Sequence, residues 1–215
     1  MRAVEACDVT YRRCGLTLVQ RVSLCADRGE VLALLGPAGS GVNTLLLLLA
    51  GAFSPDAGRV LIDGVATTTP RWDLRPDPRV IAHGPDGAAT ALASPSGSIV
   101  MLDRPTAGLD DTAAADVLRA ARRRATDGAC VVLTLDDHRV AAAHADTIAV
   151  VVAGRLVSWG VPGVALVPAL RLLEGTRGAV TASEDWPFGL DTAEHMTRPA
   201  AAWIDPSSLG GRAAS

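Results

Sequence analysis

The run Gly36-Pro37-Ala38-Gly39-Ser40-Gly41-Val42-Asn43-Thr44 has the glycine frame of a phosphate-binding loop. In an intact loop of this kind, unhindered backbone N–H groups approach the phosphate oxygens. A lysine then reaches the β and γ phosphates, and a Ser or Thr hydroxyl ligates magnesium. Valine stands here in the lysine position and asparagine in the hydroxyl position. No lysine elsewhere in the chain can substitute, because all 20 Lys and Arg residues are arginine. The residues therefore predict a backbone cradle for phosphate whose side-chain chemistry is impaired.

A cradle of this type works only between a strand and a helix, and the flanking residues supply both. Val31 to Leu35 is a short continuous apolar run that reads as a buried strand, and Thr44 to Ala50 is a leucine-rich helix former. Residues 3–33 alternate in the strand manner, with Leu16, Leu18, Val22 and Leu24 among polar neighbours. After the loop helix, residues 51–64 read as turn, short strand and turn. From Val65 to Gly97 the pattern weakens, and only Ala88 to Ala93 is predicted helical. Ser98 to Asp103 is a strand ending in a carboxylate, Thr112 to Arg124 a helix, Cys130 to Leu135 a strand and Val140 to Ala145 a short helix. Ile148 to Val152 and Arg155 to Val157 read as a hairpin. Strands alternating with helices place the chain in the α/β class, with a mainly parallel sheet flanked by helices and an antiparallel portion at the N-terminus. A helix-like segment from Gly163 to about Glu174 leads into a tail without periodicity, in which Trp186 and Trp203 serve as anchors to a partner or fold back on their own domain.

The bulk properties narrow the function. A chain of 215 residues suits one domain with a sizeable core. Its net charge of -3, with both signs interspersed, gives none of the basic footprint expected for nucleic acid. Cys7, Cys14, Cys25 and Cys130 fit neither zinc nor CxxC spacing and no leader precedes them, so they are expected reduced in the cytoplasm. The apolar runs fall well short of the ~18 residues that suggest a spanning helix. Membrane contact is expected only through a partner, at the inner face of the cell membrane.

Several segments in order resemble the ATP-binding cassette ATPases, the nucleotide-binding subunits of ABC transporters. Leu32 to Gly41 resembles their strand and phosphate loop, and Leu49-Ala50-Gly51 through Asp63-Gly64 the stretch after it. Val100-Met101-Leu102-Asp103-Arg104-Pro105-Thr106-Ala107-Gly108-Leu109-Asp110 resembles the Walker B strand and D-loop. Ala145-Asp146-Thr147-Ile148 with Gly154 to Val157 resembles the closing hairpin. The likeness covers residues 1–165 as a cassette and leaves 166–215 as a C-terminal helix and flexible tail.

The resemblance implies a P-loop NTPase core that binds ATP and magnesium through Gly36 to Thr44. It implies that Asp103 holds the metal through water, that Asn43 offers it an amide oxygen, and that Tyr11 stacks on adenine. The alternative for Tyr11 is packing at a strand end. Asp110 would be the D-loop aspartate, in a structural role.

The chain also departs from the family's pattern. Arg104 replaces the glutamate that polarises water, and a guanidinium accepts no proton. Asp136 stands where the switch histidine belongs, with His138 two positions away. Arg104 either lends its charge in place of the missing lysine or faces solvent or a carboxylate. Between Gly64 and Asp103 the chain is too short for the helical subdomain, and neither the signature motif nor a Q-loop glutamine is legible. The expectation is an accessory or regulatory cassette that binds ATP weakly, with little or no hydrolysis. It would stand beside a membrane permease or a competent ABC ATPase. The competing expectations are a scaffold that has abandoned nucleotide, an ATPase with rewired residues, and a decayed product.

Overall fold

A computed structural model of the chain describes residues 1–67, 79–94 and 98–168. The N-terminal antiparallel portion is β1 (Arg2–Arg13), β2 (Leu16–Asp27), β4 (Ala57–Ile62) and β5 (Val65–Ala66), in the order β2-β1-β4-β5. The second sheet has six strands in the order β10-β9-β3-β8-β7-β6. It is built from β3 (Val31–Leu35), β6 (Arg79–His83), β7 (Ile99–Asp103), β8 (Cys130–Leu135), β9 (Thr147–Val152) and β10 (Arg155–Gly160). Strands β9, β3, β8, β7 and β6 run parallel, and β10 returns antiparallel beside β9 as the closing hairpin.

The continuous apolar runs of β3 and β8 are buried at every position, as befits strands covered on both faces. Alternate residues then serve two cores. Leu32, Leu34, Met101 and Val132 face the first, where α1 (Val42–Leu49) lies between the two sheets with Leu45, Leu46, Leu48 and Leu49 inside. Val31, Ala33, Val100 and Val131 face the second, under α2 (Gly84–Ala93), α3 (Asp111–Thr126) and α4 (His138–His144). Asp110 caps α3, its carboxylate accepting the Ala113 N–H at 2.8 Å. A further helix begins at residue 162.

The expected class, core and N-terminal β portion are present, and the helical subdomain is reduced: among the described residues, α2 is the one helix between β5 and β7. Two expectations need correcting. Residues 79–83 fall in a stretch read as irregular, yet they form β6, an edge strand paired in parallel with β7 from Arg79↔Ile99 to His83↔Asp103. Its five residues follow an Arg, Asp and Pro run, and Ile81 remains 46% exposed, so the strand owes its existence to the ladder with β7 rather than to its own pattern. Helix α2 likewise begins earlier than expected, with Pro85 in its first turn. The tail containing Trp186 and Trp203 lies outside the described residues.

One carboxylate fastens the second core. Asp146 accepts the Val31 N–H at 2.8 Å and Arg122 at 2.6 Å on the same oxygen, while Arg122 also donates to the His144 carbonyl at 2.7 Å. Asp146→Ala leaves a buried strand N–H unsatisfied and is expected to cost about 2 kcal/mol in chemical denaturation. A loss below about 0.5 kcal/mol would place this contact among ordinary surface pairs.

Cys130 is fully buried, and desolvation pushes its thiol up to about 12 from an ordinary 9.0. The folded chain then keeps a proton that the unfolded chain releases. The associated stability is present below about pH 9 and is lost as pH rises toward 12. At neutral pH an aqueous thiol reagent is expected to label exposed Cys14 and to spare Cys130 until the chain unfolds. Prompt labelling of Cys130 in the native protein would contradict this burial.

Candidate functional site

The phosphate loop leaves β3 at Gly36 and enters α1 at Val42. It has almost no room for side chains underneath. A Cβ on Gly36 would lie 2.3 Å from the Val151 carbonyl oxygen and 2.4 Å from Ser40 Oγ. Gly41 has φ 92, and a Cβ there would lie 2.3 Å from the Leu18 carbonyl oxygen of β2. Three backbone hydrogen bonds hold the loop. The Ser40 N–H donates to the Pro37 carbonyl at 3.0 Å, the Gly154 N–H to the Ser40 carbonyl at 2.8 Å, and the Gln20 N–H to the Gly154 carbonyl at 2.7 Å. The β9–β10 turn thus ties the loop to β2. Tyr11 pairs with Val19, next to Leu18, so the same contact brings the Tyr11 strand beside the loop.

The loop is open above. Pro37, Ala38, Gly39 and Asn43 are exposed, whereas Thr44 is half-buried. Gly41 provides no side-chain cap for α1, and no acidic residue occupies its first turn. Ser40 is 4% exposed, and its buried hydroxyl has no hydrogen-bond partner among the described residues. Uncapped N–H groups at a helix start, with its positive dipole end, make a site for an anion, and a phosphate group fits the donor set.

Side-chain chemistry at the loop is another matter. Val42 is 7% exposed and belongs to the first core, so it fills space beneath the loop and presents nothing to a ligand. Tyr11 and Phe53 stack with ring centroids 5.4 Å apart and an interplanar angle of 2°, both packed against the same core. One face of the Tyr11 ring is therefore already taken by protein.

Asp103, at the C-terminal end of β7, is surrounded by donors. Its Oδ1 accepts the Thr134 hydroxyl at 3.0 Å; its Oδ2 meets His83 Nδ1 at 2.8 Å and the Asn43 amide nitrogen at 3.4 Å. The two residues expected to share a metal are thus brought together, but Asn43 offers Asp103 its N–H rather than offering an ion its oxygen. Magnesium, which needs free oxygen ligands in octahedral array, does not fit this carboxylate as it stands. Among the described residues no three His, Cys, Asp or Glu side chains gather as a metal site. Sequence reasoning missed His83 because β6 was not legible; the only signal is the register that sets His83 opposite Asp103.

Beyond Asp103 the chain turns at Arg104, whose φ of 50 is unusual for a residue with a side chain and whose N–H donates to Thr134 Oγ1 at 2.7 Å. The Arg104 guanidinium stands 3.5 Å from the Asp136 carboxylate, with side chains 51% and 74% exposed. Of the two expectations for Arg104, the one in which it faces a carboxylate describes this geometry. An exposed pair of this kind contributes little to stability, at most about 1 kcal/mol. His138 opens α4, where the Asp137 side chain accepts the Arg139 N–H.

A buried parallel strand, a glycine loop and an uncapped helix, with a carboxylate at the end of a neighbouring parallel strand, define a P-loop nucleotide-binding domain. The family model described as ABC transporter matches residues 19–107. The chain is 31% identical to the hemin import ATP-binding protein HmuV of Nocardia farcinica, over 76% of this chain and 81% of that protein. It is 27% identical to the cobalt import ATP-binding protein CbiO of Rhodobacter capsulatus, over 87% and 91% of the two chains. The solved structure of cbiO1 from Clostridium perfringens, part of the ABC transporter complex cbiONQ, superposes with a TM-score of 0.67 at 17% identity, covering 83% of this chain and 96% of that one. This chain belongs to the ATP-binding cassette subunits of ABC transporters. Among the described residues, no helix is long and apolar enough to cross a membrane.

Proposed function

We propose that the chain is an accessory cassette that binds a nucleotide through the backbone of Gly36 to Thr44 and turns it over slowly or not at all. The observation that carries this reading is the combination of an open, uncapped loop with a buried Val42. The cradle for phosphate persists while the side chain that would grip the β and γ phosphates is turned into the core.

The position after Asp103 supports the second half. Arg104 cannot act as a base, and its charge is directed at Asp136. Loss of general-base assistance removes roughly 10²–10⁴-fold of rate. The family relatives named as hemin and cobalt importers support a membrane permease, or a competent cassette working with one, as the partner.

Turnover is tested by phosphate release from ATP by the purified full chain. The expected result is release at background level that Asp103→Ala does not change. Steady release abolished by Asp103→Ala would replace this reading with an ATPase of altered residues.

A further inference from the structure

We infer that His83 occupies the place of the divalent cation, so that this site receives the metal-free nucleotide. The inference rests on the nucleotide-binding reading above and concerns the form in which that same site takes its ligand. In a magnesium-dependent phosphate site, the strand carboxylate and a loop hydroxyl are left free to hold the ion's shell. Neither condition is met here. The hydroxyl position is Asn43, and its amide nitrogen is turned to Asp103 Oδ2 at 3.4 Å. The same oxygen meets His83 Nδ1 at 2.8 Å, and the second oxygen holds the Thr134 hydroxyl at 3.0 Å.

The placement of His83 follows from the fold. Parallel pairing of β6 with β7 sets His83 opposite Asp103, and α2 begins at the next residue. The His83 side chain is 75% exposed, against 18% for Asp103, so the imidazole covers the carboxylate and keeps most of its own surface open. The Asp103 oxygen it meets is also the one that Asn43, in the first turn of α1, donates to, at the helix end that offers its N–H groups to an anion. The imidazole and the Asn43 amide thus occupy the Asp103 oxygen that a cation's water shell would otherwise meet. A metal's water shell entering there meets an Asp103 Oδ2 already engaged by His83 and Asn43, and it finds no hydroxyl at position 43.

The test is the affinity of the full chain for ATP, and separately for ADP, measured by calorimetry with a chelator and again with excess magnesium. The wild type is expected to bind equally well or better in chelator. His83→Ala, at a largely exposed position, removes the shorter of the two contacts on Asp103 Oδ2, leaving the 3.4 Å Asn43 contact, and is expected to make magnesium raise the affinity about tenfold, a difference of about 1.4 kcal/mol. Wild-type affinity that climbs tenfold or more with magnesium overturns this inference alone. So does a His83→Ala variant as indifferent to magnesium as the wild type. Absence of binding under both conditions overturns the inference together with the reading on which it rests.

Discussion

Val42→Lys is expected to raise affinity for ATP by about tenfold or more. A charge about 4 Å from a phosphate is worth roughly 4 kcal/mol at an effective dielectric near 20, before desolvation is subtracted. Half of that still exceeds the 1.4 kcal/mol of a tenfold change. The route exists because Val42 opens α1 under an otherwise exposed loop, and a lysine stem can follow the apolar path and carry its ammonium outward. The variant also removes a buried valine from the first core, so a fall in stability of about 1 kcal/mol is expected alongside the gain in binding. Calorimetric titration and thermal unfolding of the same preparation read the two effects separately. A variant that folds but binds no better would mean that the loop does not present its N–H groups to phosphate.

Gly41→Ala is expected to be the most damaging single methyl group in the loop. At φ 92 a side chain is strained whatever the space, and the added Cβ would sit 2.3 Å from the Leu18 carbonyl oxygen. That oxygen is backbone in β2, within the sheet that carries Tyr11, and it has no rotamer by which to withdraw. A loss of about 3 kcal/mol follows, seen as a fall in Tm of about 6–12 °C, with nucleotide binding lost as the loop is pushed off β2. Gly39→Ala is the comparison. Its φ of 78 carries strain, but nothing lies within 4 Å of the added carbon, so about 1 kcal/mol is expected. Equal effects at the two positions would remove the contact with Leu18 from the account.

The contrast between these glycines also marks what is legible from residues alone. The strand, loop and helix around Gly36 declare themselves because a buried parallel strand is apolar throughout and a loop helix is leucine-rich. The carboxylate at the end of β7, Asp103, is legible for the same reason. What the chain does with that carboxylate is not. His83 reaches it only through the pairing of β6 with β7, a non-local ladder with no local pattern behind it. Tyr11 illustrates the other limit: its position at the end of β1 is readable, whereas its stacking on Phe53 depends on a turn more than forty residues away in sequence. Arg104 and Asp136 read separately as two departures from a family pattern, and only the fold turns them into one pair of opposite charges.

The direct test of the central claim is equilibrium binding of ATP to the purified full chain by calorimetry. Saturable binding in the micromolar range, through a loop that lacks its lysine, is the predicted result. A wild-type chain that gives no binding heat, beside a Val42→Lys variant that binds, would contradict it. The loop would then be folded but chemically silent, and the cassette would act only through the proteins it touches.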